Sequence, residues 1–268
     1  MNELALFAGA GGGILGGHIL GWRTVCAVEI EEYPRSVLLA RQDDGVLPAF
    51  PVWDDICTFD GRPWRGVVDV VSGGFPCQDI SAAGKGAGIT GARSGLWREM
   101  ARVIGEVRPR FVFVENSPLL VGRGLAVVLG DLAEMGYDAP WGVVGADDAG
   151  APQERKRFWG RAFSDADCWK QSQRRDDPGV GRERKSISKK ENVSNCLRSG
   201  LQVSRTKQDG QNRIEGGGMS PASDWWAAEP GMGRMAHGIP HRMDRIKALG
   251  NGQVPAVAAL AWRLLGGE

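Results

Sequence analysis

The chain has 268 residues, 42% of them hydrophobic and 24% charged, with a formal net charge of +1. That length suits one large domain, or one domain with a small second one, and the composition is that of a globular protein rather than a disordered or fibrous one. A charge so close to zero excludes a whole-surface attraction to nucleic acid, so any basic patch must be local. The five cysteines (Cys26, Cys57, Cys77, Cys168 and Cys196) form no C-x-x-C pair. Their odd number argues against a disulfide framework or a zinc site and for a reducing cytoplasm. No apolar stretch is long enough to span a membrane and no signal peptide is evident, so the expected location is cytoplasmic.

In chain order, Leu4-Ala5-Leu6-Phe7 is a short apolar run that leads into Ala8-Gly9-Ala10-Gly11-Gly12-Gly13, and Ile14 to Leu20 reads as a helix. A strand, a glycine turn and a helix open many nucleotide-binding α/β units. The glycines let backbone approach the ligand and aim N–H groups at it. The next strand, Thr24 to Val28, ends in Glu29, placed to hydrogen-bond ribose hydroxyls. Glu31 to Arg41 reads as a helix, and Asp54-Asp55-Ile56 closes a loop in which a carboxylate could meet an adenine amino group. Val67 to Val71 reads as a buried parallel strand that stops at Gly73-Gly74 and presents Pro76-Cys77 at its carboxyl end, where open α/β sheets bind ligands. Taken alone, Cys77 is either a buried structural thiol or a nucleophile.

The glycine-rich stretch 82–95 carries Lys85 and Arg93 and reads as a lid beside that thiol. Leu96 to Ile104 has helical apolar spacing. Phe111 to Val114 is the next strand and ends in Glu115-Asn116, so neighbouring strands end in a thiol and a carboxylate, a pairing that suits nucleophile and acid. Leu125 to Met135 reads as a helix and Trp141 to Val144 as a strand. If the following segment is extended, Arg155 and Arg157 lie on one face. Residues 164–224 are polar and basic and read as a small, loop-rich recognition insert. His237 and His241 lack a third ligand, so no metal is expected. Val254-Pro255 opens a final apolar helix through Leu265.

This constellation resembles the cytosine-5 DNA methyltransferase family of the bacterial or phage type, over nearly the whole chain and in the family's order. Phe7-x-Gly9-x-Gly11 is similar to the family's first motif, and Glu29 and Asp55-Ile56 to its second and third cofactor contacts. Gly74-Phe75-Pro76-Cys77-Gln78 resembles the catalytic Pro-Cys motif, and Glu115-Asn116 the Glu-Asn-Val motif. Gln153-x-Arg155-x-Arg157 resembles the Gln-x-Arg-x-Arg motif, and Gly250-Asn251 the last motif, which folds back beside the first. Ser117 stands where the family usually has Val, and Gly252 where it usually has Ser or Ala.

The resemblance implies an α/β protein with a doubly wound, mostly parallel, Rossmann-like sheet of the S-adenosylmethionine-dependent methyltransferase kind. Residues 1–163 would form the catalytic and cofactor-binding domain, 164–243 the target-recognition lobe, and 244–268 a segment completing the first domain. S-adenosylmethionine would be the methyl donor, held by Phe7, Gly9, Gly11, Glu29, Asp55, Ile56, Pro76 and Asn251, with no metal. Cys77 would add to carbon 6 of a flipped cytosine in duplex DNA, and Glu115 would hold or protonate N3. Arg157 would orient Glu115 and contact O2, with Arg155 in support. Ser81, Lys85 and Arg93 would contact DNA. The resemblance further implies a monomer in a bacterial or phage-infected cell and is compatible with a cognate restriction endonuclease, whose presence the sequence does not decide. An RNA (tRNA) cytosine-5 methyltransferase shares the motif set, and an inactive DNA-binding relative is the other alternative. A Rossmann dehydrogenase would explain the glycine turn and Glu29 but not Pro-Cys and Glu-Asn.

Overall fold

The computed structural model describes residues 1–76, 95–164 and 242–267. Its strands are β1 (Asn2–Leu6), β2 (Arg23–Val28), β3 (Val52–Trp53), β4 (Val70–Gly73), β5 (Phe111–Asn116), β6 (Tyr137–Asp138), β7 (Trp141–Val144) and β8 (Arg157–Ser164). The helices are α1 (Gly12–Ile19), α2 (Glu32–Asp43), α3 (Gly95–Val107), α4 (Leu120–Arg123), α5 (Leu125–Glu134), α6 (Arg242–Asn251) and α7 (Pro255–Leu264). One sheet runs β3-β2-β1-β4-β5-β8-β6, with β7 also on β8. The first five strands are mutually parallel; β8 is antiparallel to β5, and β6 and β7 are antiparallel to β8. The order reverses at β1, whose neighbours β2 and β4 lie on opposite sides, and a ligand crevice opens at such a point.

The sheet is buried on both faces, which is why its central strands read as continuous apolar runs rather than alternating ones. Phe111 and Phe113 of β5 point to the face that carries Trp22, Val257 and Trp262. Val112 and Val114 point to the opposite face, among Trp97, Met100, Ile104, Val128 and Leu132. Helix α3 buries Trp97, Met100, Ile104 and Val107, the i, i+3, i+7, i+10 stripe that a core-facing helix needs. Its polar side carries Arg102, which bonds Glu99 and Glu106 and also donates to the carbonyls of Ile56 and Phe59. That clamp ties the helix to the loop after β3.

Helix α7 begins with Pro255 at its first turn, where a missing N–H costs nothing. It packs against α1 across glycines. A Cβ on Gly16 would stand 2.7 Å from Ala258 Cβ and 3.0 Å from the Pro255 carbonyl, so helices this close admit no side chain there. Trp262 then wedges edge-on against Trp22, Phe111 and Phe113 at centroid distances of 4.7, 5.4 and 5.4 Å. The C-terminal segment thereby becomes part of the face of the sheet beside β1.

The structure departs from the sequence reading at three places. Strand β4 starts at Val70, not Val67, because the backbone N–H groups of Val67 and Val68 both fold back to the Trp64 carbonyl in a tight turn. Arg155 has φ +31°, a left-handed conformation that ends the extended segment, and β8 starts only at Arg157. The two arginines therefore do not share a strand face. Helix α6 was not anticipated; its Lys247 pairs with Glu31 at the start of α2 at 2.7 Å. The expected lobe at 164–243 lies outside the described residues, apart from Ser164 and the first turn of α6.

Candidate active site

The site is assembled at the carboxyl ends of β1, β4 and β5. Leaving β1, the chain turns through Phe7 (φ +52°), Gly9 (φ +55°) and Gly11 (φ +90°) before α1 begins. Three non-glycine residues have positive φ among the described residues, and Phe7 and Arg155 are two of them. Such strain is held only where the surroundings demand it, and it clusters at functional sites. Nothing lies within 4 Å of where a Gly9 Cβ would be, so this turn faces open space. That space is a cleft lined by Phe7, Gly9, Gly13, Gly74, Glu115, Asn251 and Gln253.

Glu29 follows β2 and is buried, 7% exposed. Its Oε2 accepts the Gly9 N–H at 2.6 Å and its Oε1 accepts the Glu31 N–H at 2.8 Å. Burial raises its pKa, and those two backbone donors pull the other way. The carboxylate thus braces the glycine turn directly. Just beyond it, Ile30 and Trp53 are exposed large side chains at adjacent strand ends, and the Glu29 N–H bonds the Trp53 carbonyl. Sequence reasoning missed both; an apolar residue directly after the acidic one was the available signal. Asp55 and Ile56 do not line the cleft. Asp55 Oδ1 caps the N–H of Cys57, and Ile56 is buried in the core with its carbonyl bonded to Arg102. Gly11 lies beneath the turn, its α-carbon facing Leu38.

Glu115 sits at the end of β5, beside Gly74, which continues β4. A Cβ on Gly74 would lie 2.6 Å from Glu115 Oε2, so a side chain there would push this carboxyl from its place. Glu115 Oε1 pairs with Arg157 Nε at 3.1 Å, and Oε2 faces the Gln253 amide nitrogen at 3.5 Å. Burial nonetheless pushes the Glu115 pKa up to about 7, against the lowering effect of Arg157 first, then Arg155 and Gln253. Such a carboxyl exchanges its proton near neutrality, as a general acid requires. Next to it, Asn116 donates from Nδ2 to the Phe75 carbonyl at 3.0 Å and accepts the Ser117 N–H at 2.7 Å. Asn116 therefore ties the end of β5 to the turn one residue before Pro76.

Arg155 occupies a different place from Arg157. Its Nη2 donates to the carbonyls of Leu249, Gly250 and Gly252, the last at 2.6 Å. It holds the C-terminal end of α6, where unpaired carbonyls and the helix dipole favour a cation. The same stretch brings Asn251 and Gln253 into the cleft. Of the sequence-predicted site residues, Phe7, Gly9, Glu115 and Asn251 meet in one cleft, with Glu29 and Arg157 each one contact behind it. Pro76 is half-buried just past β4. Cys77, Ser81, Lys85 and Arg93 lie outside the described residues. Among those described, no group of three His, Cys, Asp or Glu side chains could hold a metal, and no helix is long and apolar enough to cross a membrane.

Comparison with known proteins gives consistent findings. The family model described as C-5 cytosine-specific DNA methylase matches residues 1–218. The chain is 33% identical over 165 residues to Type II methyltransferase M2.BsuMI of Bacillus subtilis, covering 59% of this chain and 40% of that protein. It is 38% identical over 140 residues to Type II methyltransferase M.PspPI of Psychrobacter sp., covering 49% and 32%. The matches thus span less than half the length of these curated relatives. Among solved structures, a candidate DNA modification methyltransferase of an E. coli prophage is similar with a TM-score of 0.51 and 24% identity, over 62% of this chain and 47% of that one. A Spodoptera frugiperda DNMT2 mutant is similar with a TM-score of 0.51 and 17% identity, over 68% and 53%. At those identities the likeness concerns the fold.

Proposed function

Because the chain belongs to the C-5 cytosine-specific DNA methylase family, we propose that it transfers a methyl group from S-adenosylmethionine to carbon 5 of a cytosine flipped out of a specific duplex DNA sequence. The observation that carries this reading is Glu115, a buried carboxyl with a pKa near 7 at the end of the strand beside the one that leads to Pro76 and Cys77.

The donor set fits the cofactor. The strained turn Phe7–Gly11 opens onto space at Gly9, and Glu29 supplies a carboxylate at the edge of that turn. Ile30 and Trp53 offer exposed apolar surface beside it for an adenine ring. Asn251, which lines the same cleft, would also hold the cofactor. Bound there, S-adenosylmethionine supplies an electrophilic methyl group.

The chain's own residues do the rest. Carbon 5 of cytosine is a poor nucleophile while the ring is aromatic. Addition of the Cys77 thiolate to carbon 6 breaks that aromaticity and makes carbon 5 enamine-like. Glu115 gives its proton to N3 as the thiolate adds, so negative charge does not accumulate on the ring. Arg157 holds the other Glu115 oxygen and presents its remaining N–H groups toward the cytosine O2. After carbon 5 gains the methyl group it loses its proton to a solvent water, the electrons of that C–H bond expel Cys77 as thiolate from carbon 6, and N3 returns its proton to Glu115. The ring cannot be reached inside a duplex, which is why the base is flipped, and the segment 82–95 closes over it with Ser81, Lys85 and Arg93 on DNA. The polar segment 164–243 reads the target sequence. The relatives' designation as type II methyltransferases supports a restriction endonuclease as companion.

Bisulfite sequencing of DNA from cells expressing the protein tests the activity and reveals the target together. In vitro, Cys77→Ser should abolish methyl transfer while cofactor binding survives. Normal turnover by that variant would overturn the mechanism. Label transferred to tRNA and not to duplex DNA would overturn the substrate.

A further inference from the structure

Glu115 is held on two sides, and the family resemblance accounts for one of them. Arg157 lies on Oε1; on Oε2 lies Gln253, from the segment between α6 and α7. Gln253 fills a notch that three glycines leave open. Its backbone carbonyl sits against Gly12, its side-chain oxygen 2.5 Å from where a Gly13 Cβ would be, and its amide nitrogen 3.0 Å from where a Gly74 Cβ would be. The side chain therefore bridges the cofactor turn and the strand end that carries the proposed acid. Its backbone is fixed from both directions, by Arg155 on the Gly252 carbonyl and by the packing of α7 on α1.

The two neighbours of Glu115 divide its oxygens chemically. The guanidinium is charged and the amide is neutral, so negative charge is held on the oxygen facing Arg157 and the proton is favoured on Oε2. The Gln253 Nε2 group is donor-only. It can hold Oε2 by a lone pair without competing for the proton, which remains available to a base in the cleft.

We propose that Gln253 is a positioning residue for Glu115, aiming the proton-bearing oxygen into the cleft and making that aim depend on the C-terminal segment being seated against the cofactor turn. This rests on the methyl-transfer reading above. The charged groups facing Glu115 are Arg157 and Arg155, and Gln253 is its uncharged neighbour. Replacing Gln253 with Met keeps the length and removes the donor. Losing a donor to the ionised carboxylate moves the Glu115 titration to higher pH. Gln253→Glu puts a like charge there and moves it further the same way.

The test compares wild type, Gln253→Met and Gln253→Glu in tritiated-methyl transfer to DNA across pH, together with carbon-13 NMR titration of the Glu115 carboxyl and cofactor affinity. The expected result for Gln253→Met is a fall in kcat of about tenfold, modest for an acid-positioning contact. Its KM for cofactor should change little, and the alkaline limb and the NMR titration should both move to higher pH. An unmoved NMR titration with wild-type kcat overturns the proposal. So does a loss confined to cofactor KM with the limb in place, which would make Gln253 a packing residue. If wild type itself transfers no methyl group, the methyl-transfer reading fails. The NMR shift in the variant still decides whether Gln253 governs Glu115.

Discussion

Glu115 offers the sharpest test, because its role requires the form that an ordinary carboxyl lacks at neutral pH. Its pKa rises from 4.5 to about 7 on burial. At roughly 1.4 kcal/mol per unit, that difference favours the neutral form by about 3 kcal/mol relative to a solvated carboxyl. At pH 7.5 an unshifted carboxyl is protonated in about one molecule in a thousand, whereas Glu115 is protonated in roughly one in four. The rate of methyl transfer under single-turnover conditions should therefore fall through an alkaline limb centred near pH 7, losing about tenfold per unit beyond it. Glu115→Gln fixes the group neutral but leaves no proton to give. It should lower the rate by roughly 10²-fold or more and flatten the alkaline limb. The assay is tritiated-methyl transfer to DNA from pH 5.5 to about 9.5 with saturating cofactor. An alkaline limb that persists unchanged in Glu115→Gln would refute the assignment, as would a wild-type rate constant across that whole range.

Two further outcomes follow from groups outside the proposed chemistry. Glu3 is fully buried under the centre of the sheet, bonded to Thr24 and Ser72, and burial pushes its pKa up to about 7. Its favourable contribution is present below about pH 4.5 and is lost as pH rises through about 7. Glu3→Gln should thus be more stable than wild type at pH 8, by up to about 3 kcal/mol, with no advantage near pH 4.5; urea unfolding that gave both proteins the same pH dependence would contradict this. Arg155→Met removes the donor shared by the carbonyls of Leu249, Gly250 and Gly252. It should cost about 1–3 kcal/mol of stability and weaken cofactor binding several-fold by freeing the segment that carries Asn251; unchanged unfolding and unchanged cofactor affinity by calorimetry would speak against that role.

The parts of this site that were legible in the sequence are those written as local patterns. A strand, a strained glycine turn and a helix are contiguous, and the apolar runs of β2, β4 and β5 end visibly in Glu29, Gly73-Gly74 and Glu115. Motif order did the rest, bringing Arg157 and Asn251 to the same site through a known family. The unread parts depend on what the chain meets after folding. Arg155 and Arg157 look equivalent in an extended segment, yet one left-handed residue sends the first to the end of α6 and leaves the second on Glu115. Val67 looks like strand because it is apolar, but the turn at Trp64 captures its N–H before the ladder can. Glu3 stands beside an apolar run and gives no sign that Thr24 and Ser72, from two other strands, will bond it. Gly16 and Gly17 read only as part of a helix, and nothing local announces that they serve close packing against Ala258 and Trp22.

The balance at Glu115 also explains why the site needs both burial and a cation. Arg157 lies 3.1 Å from the carboxylate, close enough that a dry ion pair would hold Glu115 permanently charged. Its side chain is 29% exposed, while that of Glu115 is 10% exposed, so water screens the guanidinium more than it solvates the carboxyl. The attraction is weakened and the desolvation of the carboxylate is not, which leaves the pKa above the ordinary range. Without Arg157 the same burial would raise it further, and under the proposed mechanism the acid would release its proton to N3 less readily. With a drier Arg157 the carboxyl would have no proton to give at neutral pH.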